Sequence, residues 1–180
     1  MRTLSFLPVA LAAIAVSGAL ASTATARPAT PPTVPTDIRV PAGNQLFDVG
    51  HALGVQIYSC NGTAWTFVAP RAALVTDRLQ FIHHFAGPTW QHQDGSSVVG
   101  QLAKPPVTVD AKSIPWLLLS AKSTTAGRFG DHLTDTTFIQ RLNTRGGLAP
   151  AASTCTAAAA GVQKEIPYTA DYFFWRANVA

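Results

Sequence analysis

Three histidines, an aspartate and two serines lie close together in the stretch FIHHFAGPTWQHQDGSS, residues 81–97. Imidazole and carboxylate groups are ligands for zinc, copper or iron, and a serine beside a histidine and an aspartate could act as a hydrolase nucleophile. A metal site would use His92, Asp94 and one of His83 or His84. A hydrolase would use Ser96 or Ser97 as the nucleophile, a histidine as the base and Asp94 to orient it. The sequence contains no H-E-x-x-H, C-x-x-C or G-x-S-x-G. Catalysis is therefore the secondary hypothesis, and neither a metal site nor a cofactor is predicted.

The local backbone decides which of these side chains can meet. Adjacent residues of a strand point to opposite faces, so His83 and His84 should diverge. We expect two successive β-hairpins, with turns at Gly87-Pro88 and Asp94-Gly95. A four-residue loop over 86–89 would pair Phe85 with Trp90, His83 with His92 and His84 with Gln91. A loop one residue longer or shorter would exchange these pairings.

The aromatic residues favour ligand binding over catalysis. Trp and Tyr have a broad apolar body and a polar tip, which suits both cores and ligand surfaces. Trp116, in IPWLLL, is predicted to lie in a buried central strand, whereas Trp90 follows a turn and is the better candidate for a pocket rim. Arg141 could hold an anion, although hydrogen bonds to loop carbonyls are the favoured role. The candidate ligand-binding residues are His84, Trp90, Gln91, His92, Asp94 and Arg141.

Short alternating runs separated by turn residues dominate the rest of the chain. The runs GVQIYSC and TAWTFVA flank Asn61-Gly62, a combination typical of a β-hairpin. Similar runs recur up to YTADYFFW. Helical periodicity is nearly absent; residues 151–162 could form a helix or a small-residue loop. The pattern predicts one all-β domain, an antiparallel sandwich or a barrel-like fold.

The amino terminus has the features of a secretory signal peptide. Arg2 precedes an apolar run that ends at Ala24-Thr25-Ala26, so residues 1–26 are predicted to be removed. Residues 27–37 would form a Pro/Thr-rich linker, and residues 38–180 the folded domain. The protein is thus expected to be secreted, with no transmembrane anchor after cleavage.

Cys60 and Cys155 are the only two cysteines. In an exported chain, two cysteines most simply form one disulfide. A structural zinc site is disfavoured, because it would need further ligands from histidines at unsuitable spacings.

The charge pattern does not favour nucleic acid as a partner. The formal net charge is +4, but the basic residues are scattered and form no stripe. No G-x-G-x-x-G follows a strand, and no βαβ alternation is present to hold a dinucleotide.

Several strings, in order, resemble a secreted family known as domain of unknown function 3455. They include HFAGPTWQHQDGS, IPWLLLSA, TFIQRLNTRGGLAP and IPYTADYFFW, and the resemblance covers about residues 38–176. It places His84 ahead of the AGPTW-like string and implies no established activity. Gln91 stands where relatives often have an acid, which would weaken any acid–base role there.

These observations predict an exported β domain that binds a small molecule or a carbohydrate, or that associates with a surface. The alternative is a hydrolase-like or metal-dependent enzyme centred on His84, His92 and Asp94. A structural envelope protein is a further possibility. An enclosed pocket holding two or more of those three residues would favour the enzyme. An open aromatic strip would favour binding, and a packed interior without a cleft would favour the structural role.

Overall fold

The computed structural model describes residues 30–178, which fold into a closed barrel of eight antiparallel strands. The all-β prediction is confirmed, and between sandwich and barrel the structure selects the barrel. The strands are β1 (Asn44–Cys60), β2 (Trp65–Thr76), β3 (Phe81–Phe85), β4 (Thr89–His92), β5 (Ser97–Leu102), β6 (Leu117–Thr125), β7 (Thr136–Gly146) and β8 (Gln163–Ala177). The expected signal peptide and residues 27–29 lie outside the described residues.

Each strand pairs with its neighbours in chain order, and β8 closes the barrel by pairing with β1. Closure leaves no unpaired sheet edge. Residues 30–178 also contain three short 3-10 helices: Thr36–Ile38, Ala152–Thr154 and Ala157–Ala159. The last two occupy the segment for which the sequence left helix and loop open, and they flank Cys155. No helix within residues 30–178 is long and apolar enough to cross a bilayer.

The alternation of side chains produces two apolar clusters. The first fills the barrel interior and includes Leu74, Ile82, Trp90, Tyr168, Tyr172 and Phe174. The second lies on the opposite face of β8, where Phe173 and Trp175 pack with Ile38 and Leu118. Val34, inside the proline-rich segment, is partly buried against this second cluster, so packing begins earlier in the chain than expected.

Trp116 differs from its predicted place in a buried strand. It precedes β6, forms an isolated bridge with Val107 and is only partly buried against the second cluster. The apolar run IPWLLL therefore begins outside the barrel wall and enters it at Leu117, because Pro115 has no N–H for a strand ladder.

The Cys60–Cys155 disulfide is confirmed, with the two Cα atoms 5.4 Å apart. It joins the end of β1 to the loop that precedes β8. Both cysteines are buried, and the bond spans 95 residues of sequence. The Asn61-Gly62 hairpin is also confirmed: Gly62 has a φ of 98°, and Asn61 Oδ1 accepts hydrogen bonds from the backbone N–H groups of Thr63 and Ala64.

The predicted turns at Gly87-Pro88 and Asp94-Gly95 are confirmed, but the predicted pairing between β3 and β4 is wrong. The loop is one residue shorter than expected, because Thr89 already belongs to β4 and pairs with Phe85. Gly87, at a φ of 106°, and a hydrogen bond from Thr89 Oγ1 to the Ala86 carbonyl hold this tighter turn. The resulting pairs are His84 with Trp90, His83 with Gln91 and Ile82 with His92.

Candidate functional site

A cavity of about 400 Å³ opens at one end of the barrel interior. All eight strands contribute residues to its walls, and so do Gly87 and Pro88 of the turn after β3. Its lining is mostly apolar, with six residues that carry polar side-chain atoms. The lining residues are Gln56, Phe67, Val68, Pro70, His84, Gly87, Pro88, Trp90, Gln101, Leu102, Leu117, Leu119, Arg141 and Tyr172.

Three stacked or edge-packed rings form one wall. The His84 and Trp90 rings are nearly parallel, 9° apart in orientation, with centroids separated by 4.2 Å. Tyr172 meets both edge-on, at 5.1 Å from His84 and 5.4 Å from Trp90. The cross-strand pairing of His84 with Trp90 places them side by side on the inward face. Gly100 provides the room, since a Cβ there would lie 3.0 Å from Trp90 Cζ3.

His84 is held as a neutral ring. Its Nδ1 lies 2.9 Å from the Thr89 carbonyl oxygen, and since a carbonyl only accepts, Nδ1 carries the proton and donates. Burial lowers the pKa of His84 to about 3, opposed by this backbone bond and aided by the positive charge of Arg141. The imidazole therefore faces the cavity uncharged at neutral pH.

Arg141 is the one charged side chain in the lining of the cavity. It sits on β7 between Leu117 of β6 and Tyr172 of β8. Its Nε and Nη2 both donate to the Pro115 carbonyl, at 3.2 and 2.8 Å, as the loop-carbonyl role predicts. Within residues 30–178 no carboxylate forms a salt bridge with it.

Two buried nitrogen atoms in the lining have no hydrogen-bond partner. They are Nε2 of Gln56 and Nε1 of Trp90, on residues that are 2% and 1% exposed. Buried polar groups without partners are uncommon in folded proteins and each needs an explanation. Both atoms are donors.

The rim of the cavity is apolar and accessible to solvent. Phe67, Val68 and Leu102 are 54%, 49% and 57% exposed. An irregularity in β1 and β2, where the register shifts between Ile57 and Tyr58, lies next to Phe67. Exposed apolar clusters of this kind occur at ligand-binding grooves and at surfaces that bind proteins or membranes.

A second polar cluster lies in a separate, open cleft. His92 Nδ1 is 3.0 Å from Asp94 Oδ1, and His132 Nε2 is 2.7 Å from Asp48 Oδ2. The two imidazole rings stack with centroids 4.4 Å apart. The cleft is lined by His92, Asp94 and His132 but not by His84.

Asp94 of this cluster accepts hydrogen bonds that hold two loops together. Its Oδ1 accepts hydrogen bonds from the Ser96 backbone and hydroxyl at 2.7 and 2.6 Å, and its Oδ2 accepts one from the His132 backbone at 3.0 Å. These contacts tie the β4–β5 turn to the loop before β7. Within residues 30–178, no group of three His, Cys, Asp or Glu side chains is arranged to hold a metal ion.

Residues 76–176 match the model of a protein family described as a protein of unknown function (DUF3455). The chain belongs to this family. No curated protein and no solved structure matches the chain.

The part of the chain that matches DUF3455 contains most of the cavity's chemistry. Of the six lining residues with polar side-chain atoms, only Gln56 precedes residue 76. The others are His84, Trp90, Gln101, Arg141 and Tyr172. The match thus covers the ring wall and the cation, while β1 and most of β2 complete the barrel around them.

The candidate residues predicted from the sequence separate into three places. His84, Trp90 and Arg141 line the cavity, whereas His92 and Asp94 line the open cleft. Gln91 is exposed on the outer face opposite His83. Trp90 is 1% exposed and forms part of the cavity wall, so its expected place at the rim is wrong.

Sequence reasoning did not single out Gln56, Tyr172 or His132. For Gln56 a signal existed: it alternates with Tyr58 and Cys60 in GVQIYSC, and all three are buried. An amide on a buried strand face is unusual enough to suggest a lining residue. Nothing in the local sequence connects His132 with Asp48, which lies 84 positions earlier.

Proposed function

We propose that this member of the DUF3455 family binds a small, largely apolar molecule in the cavity beside Trp90. The observation that carries the proposal is the cavity itself. An eight-stranded barrel is just wide enough either to be filled by side chains or to hold one small ligand. Here side chains fill much of the interior but leave about 400 Å³ at one end. This volume lies within the range of about 300–1,000 Å³ for small-molecule sites.

The lining supports an apolar ligand over a carbohydrate. Sugars need many polar partners and stack on accessible aromatic faces. Trp90 is 1% exposed, and one face of its indole is covered by His84. The exposed rim formed by Phe67, Val68 and Leu102 would favour the approach of an apolar molecule.

The enzyme hypothesis centred on His84, His92 and Asp94 is less well supported by these positions. His84 lies in a different cavity from the other two. In the open cleft, the carboxylate oxygens of Asp94 already accept three hydrogen bonds, and His92 Nε2 is buried without a partner. A buried nitrogen cannot exchange protons with a substrate in the cleft, and a general base must lie within reach of one.

The predicted export of the chain agrees with this function. The proposed signal peptide over residues 1–26 and the Cys60–Cys155 bond both suit an oxidising compartment. A secreted or surface-associated carrier of a small apolar molecule is the function that these features support best. The cavity argues against a purely structural envelope role.

The proposal is tested with N-phenyl-1-naphthylamine, an uncharged apolar fluorophore whose emission rises in apolar surroundings. The wild-type protein should bind it saturably. Val68→Trp, on the cavity side of β2, should weaken binding at least tenfold by occupying the opening. Val75→Trp is the matched control, because Val75 is exposed on the same strand but does not line the cavity. Absence of saturable binding, or equal binding by both variants, would refute the site.

A further inference from the structure

The polar atoms of the cavity define the chemical class of the ligand, an inference that rests on the proposed function. Gln56 Nε2 and Trp90 Nε1 are buried donors that no acceptor meets at hydrogen-bonding distance and angle, although the Gln56 amide lies close to the Tyr168 hydroxyl. A donor left unpaired in a buried site costs about 1–3 kcal/mol. A ligand with acceptor oxygens would satisfy both atoms, whereas a pure hydrocarbon would leave them unpaired.

Arg141 adds a positive charge that no side chain of the lining balances. The lining contains no aspartate or glutamate, and Arg141 has no salt-bridge partner in the described part of the chain. Its contact with the Pro115 carbonyl uses Nε and Nη2 and fixes the plane of the guanidinium. Nη1 takes no part in that contact. A fixed, planar guanidinium is well suited to a carboxylate.

His84 does not add to this charge. Because burial lowers the pKa of its imidazole to about 3, the ring stays neutral at neutral pH. The hydroxyl of Tyr172 is also neutral at neutral pH, since burial raises its pKa. The cavity therefore carries a single positive charge, which one monoanion would balance.

We infer that the ligand is an amphipathic monocarboxylate. Its carboxylate pairs with Arg141 and accepts hydrogen bonds from Gln56 and Trp90. Its apolar body lies against Leu117 and Leu119 and extends towards the exposed rim of Phe67, Val68 and Leu102. Arg141 is then a specificity-determining residue, and the rim accommodates the variable part of the molecule.

The test compares two probes of nearly equal shape, naphthalene-2-carboxylate and naphthalene-2-carboxamide, by isothermal titration calorimetry at pH 7. Wild-type protein should bind the carboxylate about tenfold to hundredfold more tightly, the range expected for a charge-assisted hydrogen bond. This comparison needs no variant, so it does not depend on how well a substituted protein folds.

Variants then locate the preference. Arg141→Gln should remove the preference for the carboxylate while the carboxamide still binds, and Arg141→Lys should retain part of it. Arg145→Gln is the matched control, since Arg145 is exposed on the same strand outside the cavity and its loss should leave the preference unchanged.

The outcomes separate this inference from the proposed function. If the carboxamide binds as tightly as the carboxylate, or if Arg141→Gln keeps the wild-type preference, the monocarboxylate inference is overturned and the cavity remains a binding site. If neither naphthalene compound nor N-phenyl-1-naphthylamine binds, the proposed function and the inference both fall.

Discussion

The buried imidazole of His84 predicts a specific dependence of stability on pH. Folding transfers the ring from water, where its pKa is 6.5, to a site where burial lowers it to about 3. The folded state therefore resists protonation while the unfolded state does not. The contribution of His84 to stability is complete above its unfolded pKa and is lost as the pH falls from about 6.5 towards 3.

The magnitude follows from these two pKa values. Between pH 7 and pH 5 the unfolded chain takes up roughly 0.7 of a proton at His84, and the folded chain takes up almost none. Integrating the difference gives a loss of about 2 kcal/mol over that interval. This is a substantial part of a typical stability of about 5–15 kcal/mol.

His84→Asn isolates this effect. The asparagine amide can replace Nδ1 as donor to the Thr89 carbonyl, but it does not titrate. His83→Asn is the control, because His83 is adjacent and exposed. Urea denaturation followed by tryptophan fluorescence at pH 5, 6 and 7 gives the free energy of unfolding for each protein. From pH 7 to pH 5, wild type and His83→Asn should lose about 2 kcal/mol more than His84→Asn.

The comparison with His84→Asn is needed because His51 changes the stability with pH in the opposite direction. Hydrogen bonds to Asp171 and then Asp77 raise the pKa of His51, so its contribution grows as the pH falls and is lost as the pH rises. That contribution is common to all three proteins. If His84→Asn shows the same pH dependence as wild type, the ring is not held neutral by burial and the reasoning fails.

Two further predictions concern the contacts that hold loops to the barrel. Replacing Cys60 and Cys155 together by Ala should lower the free energy of unfolding by roughly 4 kcal/mol, since the bond closes a long loop, and reductant should destabilise wild type but not the variant in urea melts. Although burial alone would raise the pKa of Asp94, hydrogen bonds from Ser96 and then from the His132 backbone hold it well below the usual range. The carboxylate therefore stabilises the fold above its unfolded pKa and loses this effect in acid, so Asp94→Asn should cost about 1–2 kcal/mol at pH 7 and less at pH 3. A deficit for Asp94→Asn that does not shrink in acid would contradict this role.

The fold class could be predicted because it depends on local patterns. Period-two alternation, the Asn61-Gly62 turn and the turn at Gly87-Pro88 are short-range signals, and each corresponds to a hairpin in the structure. The choice between sandwich and barrel depends on whether β8 pairs with β1. That contact joins the two ends of the domain, so no local pattern reports it.

The site was predicted only in part, for a similar reason. His84 and Trp90 were both found, but their contact depends on a loop of three residues rather than four. One residue of difference moves each side chain to the opposite face. The sequence could not show that His84 and His92 line different cavities. That difference depends on where along the barrel each residue lies, and not on which face of its strand the side chain occupies.

The closure of the barrel by β1 and β8 determines how late in synthesis the fold can be completed. His51 on β1 bonds to Asp171 on β8, 120 positions later. A chain made from its amino terminus exposes one edge of β1 until β8 has been synthesised. Contacts between such distant segments also make folding slow. The edge of β1 therefore stays unpaired for a long part of synthesis, and a truncation that removes β8 would leave it unpaired in the finished protein.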